Sequence, residues 1–290
     1  MNALWDHTRR IEYTSTMVVD VEATVLSNVR LSDEYNVLKL EVPEIAAQTQ
    51  PGQFLMVKPE MGPEPLLRRP FSIFEILHDQ KGNPKGISLL NKRVGIATEL
   101  LFHKQPGSHM MCLGPLGQPY EPVCPPTEAW MVAGGVGLAP FATLSYALAK
   151  QQTISTLFYG ARHGGDLFCL DIFEELGIRI VLATEDGSRG EKGQITTPLE
   201  NALSKSPANK DITVYACGPT AMLKKVASLA ESYGRTCQVS VEQVMGCGLG
   251  GCYSCVIPVK KDSKSSHYVR SCIEGPVFRS EEILWEEMNH

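Results

Sequence analysis

The segment GCGLGGCYSC, answered after a long gap by one more cysteine, constrains this chain more than any other feature. Its thiols are Cys247, Cys252, Cys255 and Cys272, spaced Cys-x4-Cys-x2-Cys-x16-Cys. That is the plant-type arrangement for a [2Fe–2S] cluster. Zinc also takes four thiolates, but structural zinc ligands usually come as two close Cys pairs. Here three cysteines share one loop and the fourth arrives from a distant strand. Gly246, Gly248, Gly250 and Gly251 let such a loop wrap a cluster with its backbone N–H groups turned towards sulfur, which stabilises negative charge. The other cysteines, Cys112, Cys124, Cys169, Cys217 and Cys237, read as packing residues, with Cys217 as the exception. Nine cysteines is an odd number, and no secretory signal accompanies them, so a disulfide framework explains them poorly.

At about 150 residues per domain, a chain of 290 residues holds two domains, or two and a small appendage. With 43% apolar and 20% charged residues, disorder, collagen-like repeats and coiled coil are excluded, leaving a soluble globular protein. The formal charge of −5 and the lack of any basic run disfavour nucleic acid as a partner. Residues 130–149 carry no charge and have about the length of a membrane span. Gly134, Gly135, Gly137 and Pro140 break them into a strand, a turn and a helix, so no membrane crossing is expected. The first sixteen residues, MNALWDHTRRIEYTST, have no apolar core of signal-peptide length, and the expected location is cytoplasmic.

Two rhythms divide the rest. From Met17 to about Pro122, short β-type runs (MVVDVEATVL, EYNVLKLEV, GQFLMVKP, RRPFSIFEI, GISLLNKRV) are separated by turn residues, which predicts an antiparallel β-barrel or sandwich. Only Ala97 to His103 reads as a helical insertion. From about Ala129, strand and helix alternate through WMVA, STLFYG, IRIVLATE, ITVYACG and CQVSVE, which predicts an α/β doubly wound parallel sheet. After Glu242 both rhythms stop. The expected organisation is multidomain: an N-terminal extension (1–16), a barrel domain (17–125), an α/β domain (126–242) and a small cluster module (243–290).

Two further motifs suggest ligands. MVAGGVGLAP ends a strand in the turn Gly134-Gly135-Val136-Gly137 and opens a helix, where unpaired N–H groups can meet a pyrophosphate. Plain close packing is the competing explanation for that turn. Tyr159-Gly160-Ala161-Arg162, Thr184-Glu185-Asp186-Gly187-Ser188 and Cys217-Gly218-Pro219 also follow apolar strands, so they gather on the same carboxyl edge, where a nucleotide site is expected. In the barrel, Arg68-Arg69-Pro70-Phe71-Ser72 offers a planar fork for phosphate and a ring for a flat cofactor. An exposed basic pair is the alternative. The turn in Asn91-Lys92-Arg93-Val94-Gly95-Ile96-Ala97-Thr98 could open its short helix onto the same phosphate.

In this order, these pieces resemble the ferredoxin reductase family: a flavin-binding barrel with an Arg-x-x-Ser strand, then a nicotinamide domain with a GG-x-G turn and a Cys-Gly-Pro strand end. Within it, VSVEQVMGCGLGGCYSCVIPV…YVRSCIEGPVF resembles the electron-transfer subunits of NAD-dependent (class 1B) dihydroorotate dehydrogenases, and the likeness spans about Met17 to Trp285. Small subunits of electron-bifurcating NADPH:ferredoxin oxidoreductases are similar but typically carry aspartate where this chain has Cys247. The resemblance implies FAD, NAD and one [2Fe–2S] cluster on Cys247, Cys252, Cys255 and Cys272. It implies that Arg69, Pro70 and Ser72 hold the FAD with Phe71 alongside, that Leu90, Asn91 and Lys92 line the next strand, and that Ala97-Thr98 cap the phosphates. Gly134, Gly135 and Gly137 would hold the dinucleotide phosphates. Cys217, followed by Gly218 and Pro219, would lie near the nicotinamide as the catalytic residue. Glu185 or Asp186 would repel a 2′-phosphate, with a solvated turn as the other reading. The chain departs from the family pattern at Ala97, where glycine is usual, and in residues 1–16, which have no counterpart.

The implied activity is an electron relay in pyrimidine (UMP) biosynthesis. Electrons come from dihydroorotate oxidised at the FMN of a separate catalytic subunit, pass singly through the cluster, collect on FAD and leave as hydride to NAD+. The implied assembly is a heterotetramer with two chains of each kind. No residue here reads as a binder or base for dihydroorotate, so the isolated chain is not expected to oxidise it. The alternatives are a diaphorase-type subunit of a hydrogenase or NAD(P)H:ferredoxin oxidoreductase, and a non-catalytic redox-sensing module.

Overall fold

The computed structural model describes residues 17–60, 62–261 and 265–288; the extension expected at residues 1–16 lies outside them. Seven antiparallel strands come first: β1 (Val19–Arg30), β2 (Tyr35–Glu41), β3 (Phe54–Lys58), β4 (Arg69–Ser72), β5 (Glu75–His78), β6 (Pro84–Lys92) and β7 (His109–Leu116). They lie in the order β4-β3-β7-β1-β2-β6-β5. The chain passing from β4 into β5 links the two edges. Ile73 donates its N–H to the Gln53 carbonyl beside β3 at 3.1 Å, and Phe74 donates to Ser88 in β6 at 2.9 Å. The sheet therefore curls around a core that includes Leu38, Leu40, Leu55, Ile87 and Leu89. Short helix α1 (Pro43–Ala46) adds Ile45 to that core, and α2 (Ile96–His103) adds Leu101.

Strand β3 serves two cores because successive side chains point to opposite faces. Leu55 and Val57 enter the barrel, whereas Phe54 and Met56 face outward into an apolar cluster with Leu113, Leu116, Met245, Cys255 and Cys272. The cysteine segment is seated there.

The second unit alternates β8 (Glu128–Gly134), α3 (Ala139–Lys150), β9 (Ser155–Ala161), α4 (Asp171–Glu175), β10 (Arg179–Thr184), β11 (Glu191–Lys192), α5 (Thr196–Lys205), β12 (Ile212–Cys217), α6 (Thr220–Ser232) and β13 (Thr236–Ser240). Trp130 and Val132 pack against α5 and α6 on one face; Ala129, Met131 and Ala133 pack against α3 and α4 on the other. The parallel order β11-β10-β9-β8-β12-β13 reverses direction between β8 and β12. In open α/β sheets ligands bind outside the carboxyl ends of the strands at such a reversal. Tyr120 ties the two units together, donating its hydroxyl to the Ala216 carbonyl at 3.1 Å.

The last segment forms a hairpin, β14 (Val256–Lys260) and β15 (Ser266–Arg270), then returns as β16 (Val277–Arg279), antiparallel to β13. The segment after Glu242, where both sequence rhythms stop, thus forms three strands of its own. Strands β7 and β16 and helix α1 were not read from sequence. HMMCLGPL shows no polar alternation because β7 is buried on both faces, and VFR follows Gly-Pro and is only three residues long. Ile257, Val259, Phe278, Ile283 and Met288 complete the core under α5 and α6. A chain ending at Glu242 is thus expected to melt well below the full chain. Burial of each such side chain is worth about 1.5–3 kcal/mol, and each kcal/mol shifts Tm by roughly 2–4 °C in a protein of this size. Thermal denaturation of the two chains checks this.

No helix among the described residues is long and apolar enough to cross a membrane.

Candidate functional site

A cleft of about 1080 Å³ runs between the barrel and the α/β unit. Ligand pockets usually span about 300–1,000 Å³, so this one lies at the top of that range. Its walls include Arg69, Pro70, Phe71, Ser72, Leu90, Lys92, Ala97 and Thr98 from the barrel side. The α/β side supplies Gly134, Gly135, Gly137, Cys217, Gly218 and Pro219. Fourteen of the fifteen cleft residues read from sequence, Cys217 included, therefore meet in one place, and Asn91 is the one that does not.

The glycines of the GG-x-G turn divide their work. A Cβ on Gly137 would lie 2.2 Å from the Cys217 carbonyl oxygen, and one on Gly134 would lie 2.9 Å from both Pro219 Cδ and Met222 Sδ. These two residues let the end of β8 press against the end of β12. Gly135 differs: its φ is +55° and a Cβ there would meet nothing within 4 Å, so its surface faces open cleft. Close packing therefore accounts for Gly134 and Gly137, and Gly135 is the glycine of this turn that leaves room for a ligand.

On the barrel side, the bidentate Arg68–Asp20 pair at 2.8 Å removes Arg68 from the cleft. Arg69 stays available: its Nη1 donates to the Leu67 and Arg68 carbonyls, and it has no carboxylate partner among the described residues. A fixed guanidinium without a counterion is suited to phosphate. Lys92 is held above its usual pKa chiefly by hydrogen bonding to Tyr35, over whose ring its Nζ sits at 5.1 Å.

One site assignment needs correction, and a second needs a closer definition. Asn91 is fully buried; its side-chain amide donates to Asn36 Oδ1 at 2.7 Å and to the Thr98 carbonyl at 3.0 Å, so it braces the turn from behind. Leu90 and Lys92 face the cleft, and strand parity sends the residue between them the other way. Thr98 lines the cleft, but its hydroxyl is taken up locally, accepting from the Val94 and Gly95 N–H groups and donating to the Gly95 carbonyl. The first helical hydrogen bond of α2 comes from Glu99. What this turn offers a phosphate is therefore the N–H groups of Ile96, Ala97 and Thr98.

At the strand ends of the α/β sheet, Glu185 and Arg162 line the cleft. Asp186 is engaged elsewhere: it accepts from the Ser188 hydroxyl and N–H and pairs with His163 at 3.0 Å, contacts that hold its carboxyl well below the usual range. Cys217 stands opposite Ser240 in the β12–β13 register, and Ser240, Val241 and Glu242 complete that wall. Ser240 and Glu242 went unnoticed in the sequence, where their only signal is their position at the end of the last strand. Burial pushes the Cys217 thiol up to about 12, with the Glu242 charge adding to the shift, so at neutral pH this cysteine is a neutral thiol. Cys112 and Cys237 are also raised by burial to about 12 from 9.0. A thiol whose pKa is raised on folding stabilises the fold fully below the unfolded value, and that contribution is lost as pH rises through the folded one. Chemical denaturation should accordingly show stability declining between pH 9 and 12.

The cysteine loop brings its thiols together in two pairs. Cys252 hydrogen-bonds Cys247, and Cys272 neighbours Cys255. Among the described residues no three His, Cys, Asp or Glu side chains are gathered closely enough to hold a metal ion, so the four thiols stand as two separate pairs. Two pairs are what a two-iron cluster on four cysteines requires, two thiolates to each iron. The cradle also fits. Leu249 donates its N–H to Cys247 Sγ at 3.4 Å, the Gly250 N–H reaches Cys272, and Gly248 and Gly250 have φ of +72° and +76°. Ser254 hydrogen bonds lower the exposed Cys252 to about 6, whereas burial raises Cys272 to about 12. Arg270 braces the loop, donating to the Gly250 carbonyl at 3.2 Å and pairing with Glu274 at 2.9 Å.

A flavin-type barrel, a nicotinamide-type α/β unit and a cysteine loop beside their common cleft define an oxidoreductase of the ferredoxin reductase class. Comparison with known proteins agrees. Residues 242–284 match the iron–sulfur cluster binding domain of dihydroorotate dehydrogenase B, and residues 131–228 match the oxidoreductase NAD-binding domain. The chain belongs to the family of dihydroorotate dehydrogenase B (NAD(+)) electron transfer subunits. It is 34% identical over 266 residues to the one from Desulforamulus reducens, covering 91% of this chain and 98% of the relative. Against the Bacillus pumilus protein it is 35% identical over 263 residues, covering 90% and 96%. Among solved structures, an NADH-dependent reduced ferredoxin-NADP oxidoreductase superposes with a TM-score of 0.78 at 28% identity, covering 91% of this chain and 90% of that one. A Neisseria gonorrhoeae ferredoxin NADP+ reductase with bound FAD and NADP shares the fold at TM-score 0.61 and 18% identity, covering 74% and 92%.

Proposed function

We propose that this chain is the NAD-reducing electron-transfer subunit of a dihydroorotate dehydrogenase complex in de novo pyrimidine biosynthesis. It receives electrons from the FMN of a separate catalytic subunit and passes them to NAD+. The observation that carries this reading is the continuity of one cleft from Arg69–Ser72, past the Gly134–Gly137 turn, to the segment Val241–Met245 that leads into the cysteine loop. Bound FAD supplies the exchange between hydride and single electrons, and a [2Fe–2S] cluster on Cys247, Cys252, Cys255 and Cys272 supplies one-electron transfer.

The chain's own residues bind and orient. Arg69 and the N-terminus of α2 hold the FAD phosphates; Pro70, Phe71, Ser72, Leu90 and Lys92 bed the rest of the flavin. Gly135 admits the NAD pyrophosphate, and Glu185 faces its ribose, where a carboxylate disfavours a 2′-phosphate. Cys217, as a neutral thiol beside Ser240, fills the space against the nicotinamide without placing a negative charge there. The domain divisions 17–125, 126–242 and 243–290 are proposed on the same basis, with residues 277–288 structurally part of the α/β core. A cytoplasmic heterotetramer, two chains of each kind, is the proposed assembly.

The likeness to a ferredoxin-NADP oxidoreductase at TM-score 0.78 favours a second reading, ferredoxin as the electron partner. Cys247, a fourth thiol where such subunits typically have aspartate, argues for the first. Anaerobic capture of this chain with its native partner, followed by assay of dihydroorotate-dependent NAD+ reduction with flavin and cluster spectra, tests the choice. Turnover supports the dehydrogenase. A complex with both cofactors and no such turnover transfers the assignment to the ferredoxin reading.

A further inference from the structure

We infer that Phe54 and Met245 form the electron bridge between the flavin side of the cleft and the Cys255/Cys272 thiol pair. The inference rests on the electron-transfer reading above and specifies which atoms lie in the path. Both side chains line the cleft, and both belong to the apolar cluster containing Cys255 and Cys272. Among the described residues they alone combine these two memberships as buried side chains. Phe54 is 3% exposed and Met245 7%.

Each is placed by the backbone. Phe54 is the outward-facing residue of β3 and stands directly opposite Ser72, at the end of the strand assigned to the flavin. Met245 follows Glu242 and Gln243, which line the cleft beside Cys217, and it precedes the first cluster cysteine. Behind them Met56 closes the layer: Gly248 lies so near that a Cβ there would come within 2.5 Å of Met56 Cγ.

The thiol pairs are unequal. Cys255 and Cys272 are buried against this layer, whereas Cys247 is half-buried and Cys252 exposed. The inner pair therefore faces the flavin, and the outer pair faces whatever docks on the loop. Tunnelling weakens steeply across voids and much less across packed atoms. An aromatic ring and a polarizable thioether fill such a gap without introducing a dipole that must reorient when charge moves. Each crossing moves one electron and neither forms nor breaks a bond: the reduced flavin is oxidised by one electron, and one iron goes from Fe3+ to Fe2+. A hydride from NADH carries two electrons, so the second crossing follows reoxidation of the cluster by a one-electron acceptor such as ferricyanide.

The test uses the full chain carrying FAD and cluster, mixed anaerobically with NADH, with flavin and cluster bleaching followed separately. Iron content and the circular dichroism of the cluster are measured on every variant. In Met245→Ala, which leaves a void, cluster reduction should slow several-fold relative to flavin reduction, with iron content and dichroism as in the parent. Met245→Leu, which conserves volume, should restore the ratio, and Phe54→Leu should lower it again. An unchanged ratio in both Met245→Ala and Phe54→Leu overturns the bridge, as does loss of iron in both, which would make them cluster-holding residues. A parent chain whose flavin bleaches while its cluster never does would instead overturn the electron-transfer reading itself.

Discussion

Replacing Gly137 by alanine is expected to disrupt the dinucleotide side of the cleft and destabilise the α/β unit by about 3 kcal/mol, the upper end of what overpacking usually costs. The added Cβ would sit 2.2 Å from the Cys217 carbonyl oxygen and 2.6 Å from its carbon. These are backbone atoms of a central strand and cannot swing aside as a side chain would. Moving β8 away from β12 would open the wall that holds Cys217, Gly218 and Pro219. Gly135→Ala gives the informative contrast. Its methyl meets no protein atom, so the stability cost is limited to the left-handed backbone, about 1–2 kcal/mol. That methyl nevertheless projects into the space assigned to the pyrophosphate, and NADH should bind at least about tenfold more weakly, equivalent to 1.4 kcal/mol. Thermal melts and NADH titrations of the two variants separate packing from binding. Equal loss of stability in both would contradict the division of labour drawn from their surroundings.

Serine at Cys272 should abolish the cluster and, with it, electron exchange with the partner, while FAD and NADH still bind. The same substitution at Cys252 should also abolish it. The two variants should differ in stability. Cys272 is buried among Phe54, Met56 and Leu116, where the Gly250 N–H reaches it but a hydroxyl proton would find only the Cys255 sulfur as acceptor, a poorly satisfied buried donor that costs about 1–3 kcal/mol. Cys252 is exposed, and a surface change there stays within about 0.5 kcal/mol. Iron content and visible spectra check the shared effect; denaturation of the iron-free chains checks the difference.

What could be read from the residues was whatever has its own local chemistry. The spacing of Cys247, Cys252, Cys255 and Cys272 carries its meaning without a fold, and Gly134–Gly137 marks a strand-to-turn junction wherever it occurs. Strands with one wet face, such as β1, alternate visibly. Strand β7 does not, because both of its faces are covered, and β16 owes its existence to the free edge of β13 rather than to any propensity of Val277–Arg279. The assignment of Leu90, Asn91 and Lys92 together failed against a rule available beforehand, since three consecutive residues of a strand cannot share one face. The role of Thr98 was illegible for another reason: whether a hydroxyl meets a ligand or its own turn depends on local angles. Glu242 and Met245 carry no motif, and only the path of the chain past Cys217 brings them to the cleft.

Ser240 and Val277 are paired residues on neighbouring strands. Everything between them, including the whole cysteine loop, therefore leaves the sheet and re-enters it at a single rung. Metal is not needed to bring the ends of that excursion together, since sheet hydrogen bonds do so. Loss or insertion of iron is therefore expected to leave the scaffold beneath it in shape, the site taking its position relative to the cleft from the sheet.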